Sequence, residues 1–234
     1  MLKMIKRFYH YVITYDFEMI YLNSVVQTLL MNGKGNILDV GCGYGRYLKH
    51  FQENGFNILG VEQNNQIVNA NIEQGLNCIS VESFSQSDVK FDLIIMSHII
   101  EHFSPNDLKE FIDFYLDRLI VEGHLIIITP LMSSYFYDDF DHVKPYQPTG
   151  IMMVFGKNQA QVQYYSRNKL ALKDIWFRKS FYRISFMKSK YKYCGMTTRL
   201  YQFGIFISAL VTYLSRGYFG KTDGWLGVFA KIDG

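Results

Sequence analysis

Residues 37–51 combine a short apolar run, an acid and three alternating glycines in a pattern that suits ligand binding. Asp39 interrupts the apolar run, and Gly41, Gly43 and Gly45 follow it at alternate positions. Glycine tolerates positive φ and lets a ligand approach the backbone closely, so this turn can wrap around a bound molecule. A carboxylate beneath the turn would attract a positively charged group rather than a pyrophosphate.

A second acid stands where nucleotide-binding α/β proteins contact a ribose. The apolar run 57–61 ends in Glu62, which lies 21 residues after Gly41. A carboxylate at the end of a second parallel strand can accept hydrogen bonds from both hydroxyls of a ribose. The residues just after the glycine turn return to helical spacing. The unit therefore predicts a strand, a glycine turn and a helix around a nucleoside.

These motifs and two further stretches resemble those of the class I S-adenosylmethionine-dependent methyltransferases. The matching residues are 38–45 (LDVGCGYG), 60–62 (GVE), 91–95 (FDLII) and 97–103 (SHIIEHF). They occur in the order and spacing of that family over residues 35–130. The resemblance implies S-adenosylmethionine as methyl donor and S-adenosylhomocysteine as product. The alternative is a Rossmann-like domain that binds NAD or no cofactor.

The resemblance also implies which residues contact the cofactor. The expected contacts are Asp39, Gly41, Cys42, Gly43, Gly45, Glu62, Gln63, Glu82, Ser83, Phe84, Ser97 and His98. In the family, the junction after the third strand holds the adenine, usually through an acidic side chain and neighbouring backbone amides. Glu82 is the candidate acid at this junction, and Asp88 is the alternative further along the chain.

Three histidines are candidates for a general base, because imidazole titrates near neutral pH. Methyl transfer to a hydroxyl gains from a base that removes its proton. His98 and His102 follow the predicted fourth strand, and His142 lies in an aromatic loop after the fifth. We expect His102 or His142 to act as the base, with Glu101 in the same group. In the resembling enzymes this glutamate is often structural and binds loop amides.

The same side chains raise the question of a metal ion. His98, Glu101 and His102 would share one helical face, and His142 could supply a distant fourth ligand. The pattern is similar to the Glu-x-x-Glu-His…His site of small-RNA 2′-O-methyltransferases and to related sites in quinone O-methyltransferases. His98 replaces the first acid of that pattern. A divalent metal is therefore left open and is not the favoured interpretation.

The hydrophobic pattern predicts an α/β fold, a Rossmann-like, doubly wound, seven-stranded sheet in one methyltransferase domain. We expect a helical lid over 1–32, a cofactor-binding half over 33–130 and an acceptor-binding half over 131–234, with a helical insertion before the last strand. Predicted strands are 36–40, 57–61, 77–81, 91–96, 123–129, 169–177 and 225–232. Predicted helices are 45–54, 65–74, 106–121 and 200–215, with a turn near 99–103.

Local signals refine two of these segments. Ser104 is the expected N-cap of the 106–121 helix, and Gly123 is expected to end it before the fifth strand. In the lid, the residues expected to face inward are Ile20, Val25, Leu29 and Leu30. The lid aromatics Phe8, Tyr11, Tyr15 and Tyr21 either line the site or pack on the sheet edge.

Composition bounds the class of protein. The chain has 234 residues, of which 49% are hydrophobic, enough for a large core. A net charge of +3 is too small to favour nucleic-acid binding, which normally needs a clustered basic face. The three cysteines, Cys42, Cys78 and Cys194, are expected to be free. This usage predicts a reducing, cytoplasmic environment.

Residues 200–215 carry no charge and are flanked by basic residues. The run is shorter than the ~20 residues that a spanning helix needs. One interpretation is a buried or substrate-covering helix. The alternative is a helix that lies in the membrane interface, so that residues 197–216 contact the inner face of the membrane peripherally.

The acceptor is the least determined partner. Residues 141–146 (DHVKPY) resemble a loop of bacterial glycan-biosynthesis methyltransferases, which implies a small-molecule acceptor, most simply a hydroxyl of a sugar or glycan precursor. The alternatives are a membrane-surface methyltransferase for a lipid-linked or quinone acceptor, and a non-catalytic module that binds the cofactor. The oligomeric state is left open.

Overall fold

The computed structural model describes residues 2–30, 35–157, 163–183, 193 and 195–233. Its centre is a seven-stranded sheet in the order β3-β2-β1-β4-β5-β7-β6. The strands are β1 (Asn36–Val40), β2 (Asn57–Glu62), β3 (Cys78–Ser80), β4 (Phe91–Ser97), β5 (Leu119–Pro130), β6 (Lys169–Ser180) and β7 (Lys221–Ile232). The first five strands run parallel, and β7 lies antiparallel between β5 and β6. This arrangement confirms the predicted fold class.

Helices cover the sheet. They are α1 (Leu2–Ile13), α2 (Phe17–Leu29), α3 (Arg46–Glu53), α4 (Asn65–Glu73), α5 (Val81–Ser85), α6 (Pro105–Leu116), α7 (Pro148–Phe155) and α8 (Met196–Leu214). Short 3-10 turns occupy Ile100–His102 and Phe136–Asp138. Within the described part of the chain, no helix has both the length and the apolar character needed to cross a membrane.

The sheet separates two hydrophobic clusters, because a parallel strand under helices is buried on both faces. In β4, Leu93 and Ile95 belong to the cluster beneath α2 and α3, whereas Ile94 and Met96 belong to the cluster beneath α6. The alternation fixes the strand rigidly. Parallel pairing of β1 with β2 and β4 brings the carboxyl ends of these strands to one edge, where an open α/β sheet binds its ligands.

The predicted 106–121 helix is too long. Helix α6 ends at Leu116, and β5 already begins at Leu119, which pairs with Phe91. Gly123 therefore lies inside β5 and does not end the helix. The apolar residues after 118 extend the helical pattern in sequence, but pairing with β4 decides their structure. Ser104 does occupy the N-cap position, although its hydroxyl donates to Asp107 rather than accepting from the helix.

The inward face of α2 also differs from the prediction. Ile20 is 52% exposed, whereas Leu22, Val26 and Leu30 are buried and contact the sheet. The helix begins after Asp16, whose carboxylate accepts from the backbone N–H of Met19. Positions four apart then point toward the sheet, and Ile20 falls between them. Val25 and Leu29 are partly buried at the margin of the same face.

Two cysteines can be placed. Cys42 and Cys78 are buried and free, with their Sγ atoms 3.5 Å apart. Cys194 lies outside the described residues, as do residues 31–32 of the expected lid and the flanking lysines Lys188, Lys190 and Lys192.

Candidate functional site

The glycine turn between β1 and α3 forms the floor of a cleft. Gly41 and Gly43 have φ of 65° and 52°, which favours glycine at both positions. The backbone N–H groups of Gly41 and Cys42 donate to the carbonyl of Val61, at 2.8 and 3.2 Å, and tie the turn to β2. A Cβ atom at Gly43 would meet open space, so this side of the turn faces the cleft and can receive a ligand.

Asp39 lies beneath this turn. It is 1% exposed, and its Oδ2 has no hydrogen-bond partner among the described residues. Burial, helped by the charge of Glu62, raises the pKa of Asp39 to about 8. An unpaired buried carboxyl is costly unless a partner arrives. The site therefore fits a ligand that brings positive charge to the cleft, as the sulfonium and ammonium groups of S-adenosylmethionine would.

Glu62 ends β2 beside the same turn. Its Oε2 accepts from the N–H of Gly43 at 3.0 Å, and its Oε1 accepts from the N–H of Asn64 at 3.0 Å. These two bonds fix the carboxylate at the cleft and leave lone pairs for further donors. Gln63 follows it and is exposed. The arrangement fits the ribose contact that the sequence predicts.

The expected cofactor contacts at the junction after β3 differ in exposure. Glu82 and Ser83 are exposed at the first turn of α5, while the Phe84 ring is buried against Phe91. Phe84 can therefore offer a cofactor only its backbone, as the backbone amides expected at this junction would. The alternative acid Asp88 pairs with Arg118 at 3.1 Å. Glu82 is thus the acid of this junction that has no ion pair among the described residues.

A charged cluster surrounds His98 at the end of β4. His98 has φ of 53°, a strained value for a non-glycine residue, and its Nε2 lies 3.6 Å from Oε2 of Glu18. Its Nδ1 lies 3.4 Å from Oε1 of Glu101. Burial lowers the pKa of His98, but Glu101 and Glu18 outweigh this and raise the pKa to about 9. The imidazolium form is therefore the stabilised one.

Glu18 is held in place from several sides. Its Oε2 accepts from Nη1 of Arg178 at 2.5 Å, and its Oε1 accepts from the hydroxyl of Tyr47 at 3.3 Å. Burial raises the pKa of Glu18, but His98 and Arg178 outweigh it and lower the pKa to about 2. Arg178 in turn donates to Asp223 at 2.9 Å. Helix α2 and strands β4, β6 and β7 thus meet in one cluster of alternating charges.

Two cavities meet at this cluster. A cleft of about 160 Å³ is lined by Asp39, the glycine turn, Tyr47 and Ser97. A larger cavity of about 550 Å³ lies between the N-terminal helices, the end of β6 and α8. Arg46 and His98 line both. A ligand on the glycine turn and a second molecule in the larger cavity would therefore face each other at His98.

Glu101, His102 and His142 form a separate group next to His98. Glu101 is fully buried; its Oε2 accepts from the Thr129 hydroxyl at 2.9 Å, and its backbone carbonyl accepts from two loop amides. His98 and Thr129, acting against burial, hold the pKa of Glu101 below its ordinary value. The structural role implied for this glutamate fits these contacts. None of the three residues lines either cavity.

Among the described residues, this group of three is the candidate for holding a metal ion. Ligand atoms of Glu101, His102 and His142 lie within 4.8 Å of one another. The Nδ1 atoms of both histidines lie next to backbone carbonyls, of Asp141 at 3.1 Å and Phe136 at 2.6 Å. Such bonds leave the Nε2 atoms for a metal. His98, considered as a further ligand, precedes the 3-10 turn and is not part of this group; its Nδ1 faces Glu101 and its Nε2 faces Glu18.

Sequence reasoning missed three members of the cluster at His98. Glu18 lies in the predicted lid, and Arg178 and Asp223 lie just outside the predicted strands 169–177 and 225–232. One signal was available, since a charged residue at an inward position of an apolar helix or strand rarely stays unpaired. The sequence gives no means of matching the three to one another.

Comparisons with known proteins agree with this geometry. The family model described as a methyltransferase domain matches residues 19–178. No curated protein sequence matches the chain. A SAM-dependent methyltransferase from Archaeoglobus fulgidus has a similar structure, with a TM-score of 0.56 at 20% identity over 97% of this chain and 99% of that one.

Two further solved structures are similar. The YcgJ protein of Bacillus subtilis gives a TM-score of 0.60 at 17% identity, covering 93% of this chain and 100% of that one. The N-methyltransferase NodS of Bradyrhizobium japonicum, in complex with S-adenosylhomocysteine, gives 0.56 at 12% identity, covering 94% and 90%. With a family match over more than half its length and this fold and cleft, the chain belongs to the class I S-adenosylmethionine-dependent methyltransferases.

Proposed function

We propose that this methyltransferase acts on a hydroxyl group of a polar small molecule, most simply a sugar or glycan precursor, held in the 550 Å³ cavity. The observation that carries the proposal is the position of His98, which lines both the cofactor cleft and this larger cavity. A hydroxyl acceptor needs a base near the transferred methyl group, and a histidine that lines both cavities is suited to that role.

The lining of the larger cavity supports a polyhydroxylated acceptor. It presents acidic side chains that can accept hydrogen bonds from hydroxyls and aromatic rings that can pack on the apolar face of a sugar ring. The acids are Asp16, Glu18, Asp138 and Asp223, and the aromatic residues are Tyr15, Phe17, Tyr135, Phe181 and Tyr213. Basic residues, including Arg46 and Lys179, extend the lining toward a charged substituent on the acceptor.

The residues of the cleft take distinct roles in this proposal. Asp39, Glu62 and the glycine turn hold the methyl donor, which when bound supplies an activated methyl group on a sulfonium. His98 receives the proton of the acceptor hydroxyl as its oxygen takes the methyl group. Glu18 and Glu101 stabilise the imidazolium that results. Holding both molecules in line at His98 supplies much of the rate enhancement.

His98 thereby takes the role that the sequence assigns to His102 or His142. Those two histidines and Glu101 support the wall behind His98 and fix the loop that carries residue 142. An amine acceptor is the competing chemistry, since it would need less help from a base. A lipid-linked or quinone acceptor is the second candidate, favoured by the apolar outer face of α8 described below.

The test is transfer of labelled methyl groups. The purified chain is incubated with methyl-labelled S-adenosylmethionine and a cell extract, which is then separated into aqueous small-molecule, organic, protein and RNA fractions. We expect label in the aqueous fraction, at an ether that resists mild base. Label in the organic fraction would favour the lipid-linked acceptor, and label on an amine or on macromolecules would overturn the proposal. His50→Gln, a change outside both cavities, is the control for His98→Gln.

A further inference from the structure

Helix α8 exposes large apolar side chains and buries small ones. In a globular protein the apolar stripe of a surface helix faces the core. Here the buried positions are Thr198, Ala209 and Thr212, whereas Leu200, Phe203 and Leu214 are 66%, 64% and 71% exposed. The larger exposed set recurs every three or four residues along one face: Met196, Leu200, Phe203, Ile207, Val211 and Leu214.

Neighbouring segments continue this apolar face. Helix α1 packs beside α8 through aromatic contacts, with Tyr9 against Phe206 at 5.2 Å and Tyr11 against Tyr213 at 5.7 Å between ring centroids. Phe8 of α1 is exposed next to this seam. Tyr218 and Phe219, just after α8, are exposed as well. A continuous apolar surface of this kind normally marks an interaction site.

The charge of this surface identifies the partner. Neither α1 nor α8 contains an aspartate or glutamate, and residues 193–222 contain none. The exposed charged residues on and beside the two helices are all basic: Lys3, Lys6, Arg7, Arg199, Arg216 and Lys221. Exposed apolar side chains on helices whose exposed charges are all basic match a bilayer surface with anionic head groups. A face that binds another protein has no reason to exclude acids so completely.

We propose that the surface formed by α1 and α8 docks the protein on an anionic lipid membrane, with α8 lying in the plane of the interface. The opposite side of α8 contributes Ala209, Thr212 and Tyr213 to the wall of the larger cavity. Docking therefore sets that cavity beside the head groups. The docking does not depend on which acceptor the cavity takes, so its failure and the failure of the proposed function can be told apart.

The first experiment is co-flotation of the full chain with lipid vesicles. One set contains phosphatidylcholine alone, and the other contains phosphatidylcholine mixed with phosphatidylglycerol. We expect binding to the anionic set, weakened by salt. The triple variant Leu200→Gln, Phe203→Gln, Ile207→Gln should lose about tenfold or more in partitioning. The matched control is Ile72→Gln, Val89→Gln, Val121→Gln, whose positions are similarly exposed elsewhere.

A charge variant and a positional probe keep the test independent of folding. The triple variant Lys6→Gln, Arg7→Gln, Arg199→Gln should bind anionic vesicles more weakly than the wild type. The control variant Lys49→Gln, Lys157→Gln, Lys173→Gln removes three exposed lysines elsewhere and should bind them normally. Phe203→Trp should be quenched by brominated lipid, and Ile72→Trp should not.

Two outcomes would overturn the proposal. In the first, the wild-type chain fails to float with anionic vesicles, and light scattering shows that the Leu200, Phe203 and Ile207 changes convert a dimer to a monomer. That result would assign the face to a second copy. In the second, the wild-type chain neither binds vesicles nor self-associates.

Discussion

The imidazole of His98 faces the carboxylate of Glu18, with 3.6 Å between Nε2 and Oε2, at the boundary of the two cavities. His98 directly follows β4, and Glu18 lies in the first turn of α2. Arg178 completes the contact from β6 at 2.5 Å from Glu18. Helix α2 lines the larger cavity, and its residue Glu18 raises the pKa of the candidate base His98. The pair therefore links the position of this helix to the protonation of the base.

The Glu18–His98 contact predicts a shifted pH profile. His98 must be neutral to accept a proton, and its pKa is about 9, so the transfer rate should rise with pH from neutrality toward that value. Glu18→Gln removes one of the carboxylates that raise this pKa and should move the profile to lower pH. His98→Gln should cost about a hundredfold or more in kcat. The rates are measured across pH for each variant.

His102→Gln and His142→Gln serve as comparisons for His98→Gln. Each should lower the rate by much less, because neither side chain lines a cavity. If His142→Gln alone abolished transfer and flattened the pH profile, the base would be His142 and the assignment of His98 would be wrong.

Asp39 predicts proton release when the cofactor binds. Its pKa of about 8 in the free protein means that the carboxyl is largely protonated at pH 7. A cation arriving above it favours ionisation, so binding should release up to about one proton. Calorimetric titration in two buffers of different ionisation enthalpy measures this number. Asp39→Asn should abolish the release, and equal release in the variant would contradict the assignment.

The same substitution should affect stability in the opposite direction from binding. A raised pKa in the folded state means that stability falls as pH rises from 3.8, the ordinary value, toward about 8. Asp39→Asn removes this loss. At pH 7 the ligand-free variant should melt about 5 °C or more above the wild type, yet bind S-adenosylmethionine more weakly.

Glu62→Gln should weaken cofactor binding about ten- to a hundredfold, since a charge-assisted hydrogen bond contributes about 1.5–3 kcal/mol. The glutamine retains only one acceptor oxygen, and the existing bonds to Gly43 and Asn64 already use both oxygens of the glutamate. Equilibrium binding measures the change. Glu73→Gln, at an exposed position at the end of α4, is the control and should bind normally. Unchanged affinity in Glu62→Gln would place the ribose contact elsewhere.

Methyl transfer should survive removal of divalent metal ions. Glu101, His102 and His142 could hold such an ion, but they line neither cavity, so an ion there would not touch the reacting groups. After treatment with a chelator and dialysis, the rate should stay within about twofold, because the proposed reaction at His98 needs no metal ion in contact with the acceptor or the methyl group. Loss of activity that Mg²⁺ or Mn²⁺ restores, in wild type but not in His142→Ala, would show a catalytic metal instead.

The sequence determined the parts of this protein that depend on local order. Apolar runs with the right length predict the strands, and the spacing of Asp39, the glycines and Glu62 predicts the cleft, because neighbours in such a unit are positioned by one strand, one turn and one helix. The family assignment follows from those same residues. These contacts are short-range along the chain or fixed by the order of parallel strands.

Only the tertiary structure decided how the distant parts meet. The end of α6 and the start of β5 depend on pairing with β4, and the burial of Phe84 depends on packing against Phe91. The cluster of Glu18, His98 and Arg178 spans most of the chain, and no periodicity relates its members. Burial and mutual charge set their pKa values, and both are properties of the folded surroundings rather than of the residues alone.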